Sequence, residues 1–159
     1  MSLFTGSAVA IITPFNNDGS INYDAFKKMV DDQIAAGTAA IVVAGTTGEA
    51  STIDDAEQIK LIKFCVDTVN KRVPVIAGAG SNDTAHAIEL AKLAEEAGAD
   101  GLLIVTPYYN KTTQKGLVKH YTAIAESVNI PIIVYSVAGR TGLNITPATV
   151  KELSKVKNI

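Results

Sequence analysis

Five short apolar runs recur along the chain: Ala8–Ile12, Ala39–Ala44, Val73–Ala77, Gly101–Val105 and Ile130–Tyr135. They are rich in Val, Ile and Ala and do not alternate with polar residues, the pattern of parallel strands covered on both faces. Their starts lie 31, 34, 28 and 29 residues apart, room for one strand, one helix and two loops. Between them the period becomes helical. Phe26, Met29, Val30 and Ile34 form one stripe, with Gly37 as its stop. Ile59, Ile62, Val66 and Val69 form the second, and Ile88, Ala91, Ala94 and Ala97 the third, ending at Gly98. Leu117, Tyr121, Ile124 and Val128 form the fourth. Thr146-Pro147 reads as the cap and first turn of a fifth helix carrying Val150 and Leu153. Thr52 with Asp55 approximates a capping box ahead of the second helix.

Five βα units admit two architectures: a doubly wound open sheet, or the first part of a (β/α)8 barrel, which takes about 250 residues. A length of 159 residues cannot close eight units and favours the open sheet on count alone. The KELSKVKNI tail reads the other way, as a helix end followed by the start of a sixth strand, so the chain is expected to be cut short of a full domain. No linker, low-complexity tract or change of composition divides it.

Composition removes several functional classes. With 47% hydrophobic residues the chain can bury a sizeable core. Its net charge of -2 and scattered lysines lack the basic footprint of a nucleic-acid binder, and only Arg72 and Arg140 offer guanidinium forks. No apolar run approaches the roughly 20 residues of a membrane-crossing helix. The amino end, MSLFTGSAVAIITPF, lacks the basic start of a signal peptide. Cys65 is the single cysteine and falls within the second helical pattern, as a small core hydrophobe rather than a nucleophile. These features lead us to expect a cytoplasmic protein with no metal and no cofactor.

Candidate chemistry gathers after the strands, where ligands bind in both architectures. Gly45-Thr46-Thr47-Gly48-Glu49 follows the second strand. Its glycines free the backbone, and its threonines set hydroxyls beside amide donors that could receive a carboxylate. The same residues also suit a plain βα turn whose threonines cap the next segment. Tyr108-Tyr109-Asn110 follows the fourth strand and Tyr135 ends the fifth. Three tyrosine hydroxyls could converge there and relay protons, or the rings could pack at the rim. Tyr121 fits helix packing instead. Arg140, bracketed by glycines, could fork onto a carboxylate. Glu49 is expected to shape its loop, and His86 and His120 to be solvated or locally bonded. Asp31-Asp32, Asp54-Asp55 and Glu95-Glu96 read as helix surfaces.

Taken together, GTTGE, VIAGAGSN, TPYYN and Tyr135…Arg140-Thr141-Gly142 resemble the amino-terminal part of the 4-hydroxy-tetrahydrodipicolinate synthase (dihydrodipicolinate synthase) family. These are pyruvate-dependent class I aldolases related to N-acetylneuraminate lyase, and the resemblance spans essentially all 159 residues. It implies a TIM barrel, here an incomplete one of about five βα units, with residues 1–159 as the amino-terminal part of the domain and strands six to eight absent. It also implies an activity: condensation of pyruvate, held as a lysine Schiff base, with L-aspartate 4-semialdehyde in lysine and diaminopimelate biosynthesis. By the resemblance Tyr135, Thr46 and Tyr109 form the proton relay, Thr47 binds the pyruvate carboxylate, and Arg140 steers the semialdehyde carboxylate. Tyr109 would reach across a tight dimer interface, so the family form is a homo-oligomer, a dimer or tetramer. Ser51, Gly80, Asn82, His86 and Tyr108 match positions of a lysine-effector site in feedback-inhibited relatives, although many of those have Glu where His86 stands.

Two departures qualify this. The family's usual Tyr-Asn-Val-Pro appears as Tyr135-Ser136-Val137-Ala138, followed by Gly139, which loosens the backbone that aims Arg140. The family's Schiff-base lysine belongs to the sixth strand, and none of the 12 lysines here falls in a strand run. Lys111 comes nearest the active face but follows a polar loop. The chain by itself is therefore expected to be inactive. Other readings stay open: another pyruvate-dependent aldolase, or a non-catalytic half-barrel module that associates with itself through its open strand edges.

Overall fold

A computed structural model describes residues 3–159. Five parallel strands, β1 (Ala8–Ala10), β2 (Ala40–Val43), β3 (Val75–Gly78), β4 (Gly101–Val105) and β5 (Ile132–Tyr135), form one sheet in the order β1-β2-β3-β4-β5. Every neighbouring pair is parallel, with Ala8 opposite Ala40, Ile41 opposite Val75, Ile76 opposite Gly101 and Leu102 opposite Ile132. A doubly wound sheet would reverse its strand order part-way. This one does not, so the open-sheet alternative that residue count favoured is set aside in favour of a barrel arc.

The connecting helices are α1 (Tyr23–Ala35), α2 (Asp55–Val69), α3 (Thr84–Glu96) and α4 (Gln114–Ala125), followed by a short α5 (Ala138–Thr141) and α6 (Pro147–Leu153). Their apolar stripes pack on one face of the sheet. Ile41, Val43, Ala77, Leu102 and Ile104 join Phe26, Leu61, Ile62, Leu117, Tyr121 and Ile124 in a continuous core there. The other face carries a smaller cluster. Ala40, Val42 and Ile76 form a second cluster against Leu3, Phe4, Leu103 and Ile133. Helices on a single face are what an arc of a barrel requires.

Local signals account for the helix ends. Side chains of Asn22, Asp83, Thr113 and Thr146 accept from backbone N–H groups of Ala25, Ala85, Gly116 and Thr149, contacts worth about 1 kcal/mol each. Gly37 and Gly98, at φ +91 and +95, follow the last helical residues. The capping box expected from Thr52 and Asp55 is corrected. Asp54 is the cap, its Oδ1 accepting from Glu57 N at 2.8 Å. Thr52 belongs to a short 3-10 turn (Ala50–Thr52), and its hydroxyl donates to Glu49 O at 2.9 Å.

Cys65 is fully buried, and desolvation pushes its thiol up to about 12, as befits a core residue. Tyr121 is also buried, its hydroxyl donating to Ile104 O at 2.9 Å.

His120 is not solvated. It is 5% exposed, its Nδ1 lies 2.9 Å from Thr84 Oγ1 between α3 and α4, and its Nε2 is buried without a partner among the described residues. Burial lowers its pKa from 6.5. The folded state thus favours the neutral ring, while the unfolded chain takes up its proton near pH 6.5. Stability from this residue is complete above that pH and falls as the pH drops towards the lower folded value. His120→Gln is expected to flatten the decline of urea midpoint between pH 7 and 5; an unchanged slope would contradict this.

Candidate active site

The carboxyl ends of β2 to β5 surround an open cleft of about 410 Å³. Thr46, from the turn after β2, and Tyr135, the last residue of β5, both line it. Arg140, Tyr108, Ser51, Gly80 and His86 complete the set of expected residues that the fold brings together. Thr47, Asn82 and Tyr109 are not among the lining groups. The expected convergence of three tyrosines is therefore corrected within this chain. Tyr108 and Tyr135 share the cleft, but Tyr109 is 92% exposed at φ +65 and does not line it.

The GTTGE turn is held from beneath. Thr13 Oγ1, buried after β1, donates to Gly48 O at 2.6 Å. A Cβ at Gly48 would meet Ile11 O at 3.1 Å and Ala44 N at 3.3 Å, a tight contact with main-chain atoms that glycine relieves. Glu49 sits at φ +56, and its carbonyl accepts from Thr52 N, so it shapes the loop as expected. The threonine pair is left exposed above the fixed backbone.

The loop carrying Arg140 is more regular than its sequence suggests. Ala138–Thr141 forms one helical turn, closed by Gly142 N donating to Ala138 O at 2.8 Å. Thr141 is buried, and its hydroxyl bonds Val137 O and Leu143 O. These bonds tie the turn to the residues just before and just after it. Arg140 sits on this turn and faces the cleft. The Lys111 side chain lies over Gly142, where an added Cβ would come 2.9 Å from its Cε; Lys111 is exposed and does not line the cleft.

Three lining groups were not evident beforehand. Gln58 is 5% exposed and its Nε2 donates to Gly78 O at 2.8 Å, tying α2 to the end of β3. Its signal lies in the helical spacing, since Gln58 falls on the buried stripe with Leu61, Ile62 and Cys65. Ser81 and Asp55 hold His86 from both sides, Nδ1 to Ser81 Oγ at 3.2 Å and Nε2 to Asp55 Oδ2 at 2.8 Å. Asp55 lies 31 residues from His86, a contact that no local pattern reveals.

A family model, the dihydrodipicolinate synthetase family, matches residues 3–159. The chain belongs to this family. It is 60% identical over 157 residues to the 4-hydroxy-tetrahydrodipicolinate synthase of Acetivibrio thermocellus, covering 99% of this chain and 53% of the relative. The synthase of Geobacter metallireducens is 59% identical over 157 residues, covering 99% and 54%. The chloride-inhibited dihydrodipicolinate synthase of Acinetobacter baumannii, solved with pyruvate, superposes with a TM-score of 0.95 at 50% identity over 97% of this chain and 53% of its own. The chain thus spans about half the length of the family relatives it matches. The barrel expectation holds, and these five βα units are an arc of such a barrel. No helix among the described residues is long and apolar enough to cross a membrane.

Proposed function

We infer that the cleft is the pyruvate-handling part of a Schiff-base synthase site, which condenses pyruvate with L-aspartate 4-semialdehyde in lysine and diaminopimelate biosynthesis. The observation that carries this is the meeting of Thr46, Tyr135 and Arg140 in one cleft at the strand ends. Family relatives named as synthases, one of them solved with pyruvate, support the same reading. Tyr135 passes protons to and from the bound substrate. Thr46 shares that proton, because a phenol relays well beside another hydroxyl. Thr47 and the exposed GTTGE amides receive the pyruvate carboxylate, and Arg140 the carboxylate of the semialdehyde.

The amine for the Schiff base comes from outside residues 1–159. None of the lysines in this chain lines the cleft, so none can meet a keto group bound there. The 159 residues alone are accordingly inactive. Tyr109, exposed on a protruding loop, completes the relay of a neighbouring subunit in a cytoplasmic homodimer or tetramer. An effector region would comprise Ser51, Gly80, His86 and Tyr108, with Asn82 beside them. Asp55, the one carboxylate lining the cleft among the described residues, is already paired with His86, which disfavours binding of a lysine ammonium.

The test is a chimaeric barrel in which residues 1–159 replace the matched stretch of the Acetivibrio thermocellus relative. It should condense pyruvate with the semialdehyde. Arg140→Ala should raise KM for the semialdehyde about 10-fold or more, the scale of a lost charge-assisted hydrogen bond, with KM for pyruvate unchanged. A chimaera that uses pyruvate only with other aldehydes, or an Arg140→Ala variant with unaltered KM, would overturn this assignment.

A further inference from the structure

The loop after β4 carries two residues in the left-handed region, Tyr109 at φ +65 and Lys111 at φ +53. Side chains other than glycine seldom take that conformation, and they keep it where the surroundings hold them. Both neighbouring strand-end loops supply contacts. Towards the loop after β3, Asn110 Nδ2 donates to Asn82 O at 3.2 Å. Towards the loop after β5, the end of the Lys111 side chain covers Gly142, where a Cβ would stand 2.9 Å from Cε and 3.2 Å from Nζ. Gly142, itself at φ +65, closes the turn that bears Arg140 by donating to Ala138 O at 2.8 Å. Among the described residues neither Lys111 Nζ nor the Arg140 guanidinium makes an ion pair or a hydrogen bond. Arg140 lines the cleft and Lys111 does not, so one short turn has a free cation on its cleft side and another off it.

We propose that Lys111 is a positioning residue that keeps Arg140 directed into the cleft, towards the carboxylate of the semialdehyde. The inference rests on the assignment of Arg140 to that carboxylate. Lys111 fills the space over Gly142 that the guanidinium would enter on swinging out of the cleft, and its charge repels the guanidinium from there. An arginine with fewer outward rotamers loses less freedom when it takes up its ligand. Lysine suits the task, since its stem packs on the glycine while its ammonium stays in water. Lys111 thus acts through Arg140 and touches no substrate, in keeping with its place outside the cleft lining.

The experiment measures KM in the chimaeric barrel for Lys111→Ala, Lys111→Arg, Arg140→Ala and the double variant Lys111→Ala/Arg140→Ala. Lys111→Ala should raise KM for the semialdehyde about 5-fold, within the range for coupled neighbours, with KM for pyruvate and the urea midpoint unchanged. Lys111→Arg keeps bulk and charge and should restore the parent value. The double variant should match Arg140→Ala alone, because a residue that acts through Arg140 then has nothing left to aim. A parent-like KM for Lys111→Ala beside a raised KM for Arg140→Ala would overturn this inference and leave the Arg140 assignment standing. Two effects that multiply in the double variant, or a Lys111→Arg variant as impaired as Lys111→Ala, would do the same. An unaltered KM for Arg140→Ala would overturn both.

Discussion

Tyr135→Phe in the chimaeric barrel is expected to cut turnover by about 10²-fold or more, the scale of general acid–base catalysis, while leaving stability unchanged. The two effects separate because of where each part of the residue sits. The backbone of Tyr135 is locked in the sheet, opposite Val105 and accepting from Thr106 N at 3.1 Å. Its ring lines the cleft, and among the described residues its hydroxyl makes no hydrogen bond. Phenylalanine keeps the packing and removes only the transferable proton. Tyr121 supplies the contrast, since its buried hydroxyl holds Ile104 O. Tyr121→Phe should therefore lower stability by about 1 kcal/mol. Turnover of the Tyr135→Phe chimaera close to the parent's would remove Tyr135 from the relay.

Gly78→Ala is expected to be the most destabilising small substitution in the arc. A Cβ there would stand 2.1 Å from Ala44 O and 2.7 Å from Ala44 C, both main-chain atoms. Ala44 is itself at φ +53, and Gly78 O receives the Gln58 amide, so neither strand end can move without loosening the cleft floor. Overpacking of this kind costs about 3 kcal/mol. Gly139→Ala is the control, because nothing lies within 4 Å of the added carbon and the residue is helical. Its effect should be neutral or slightly stabilising. Urea unfolding compares the two; a Gly78→Ala midpoint within error of the parent would contradict the close strand approach.

The repeat of apolar runs made the βα arc legible, because buried parallel strands carry their burial in composition as well as position. Strand ends were less so. Ile130 and Val73 extend the apolar runs but precede β5 and β3, since pairing and not hydropathy sets where a strand begins. The open-sheet reading rested on count, a property that does not sense which face the helices cover. Within the site, Thr46, Tyr135 and Arg140 could be read because each ends or follows a strand. Asp55 and His86 could not, as their contact joins α2 and α3 across 31 residues, with Ser81 of the loop after β3 beside them. Thr13 was hidden for the same reason, its one contact lying 35 residues away. The turn under Arg140 is closed by its backbone and tied by the buried Thr141 hydroxyl, which a tally of missing proline and added glycine overlooks.

The most direct measurement is borohydride trapping with pyruvate, read by peptide mass spectrometry on the 159-residue chain and on the chimaera. A Schiff base needs an unprotonated amine beside the keto carbon, which burial or a nearby cation must provide. Hydride then reduces the imine to a stable secondary amine that marks the lysine used. No saturable adduct is expected on any of the 12 lysines of this chain, alone or in the chimaera, and one stoichiometric adduct is expected in the portion supplied by the relative. A single saturable adduct on Lys111, or on any other lysine within residues 1–159, would contradict this.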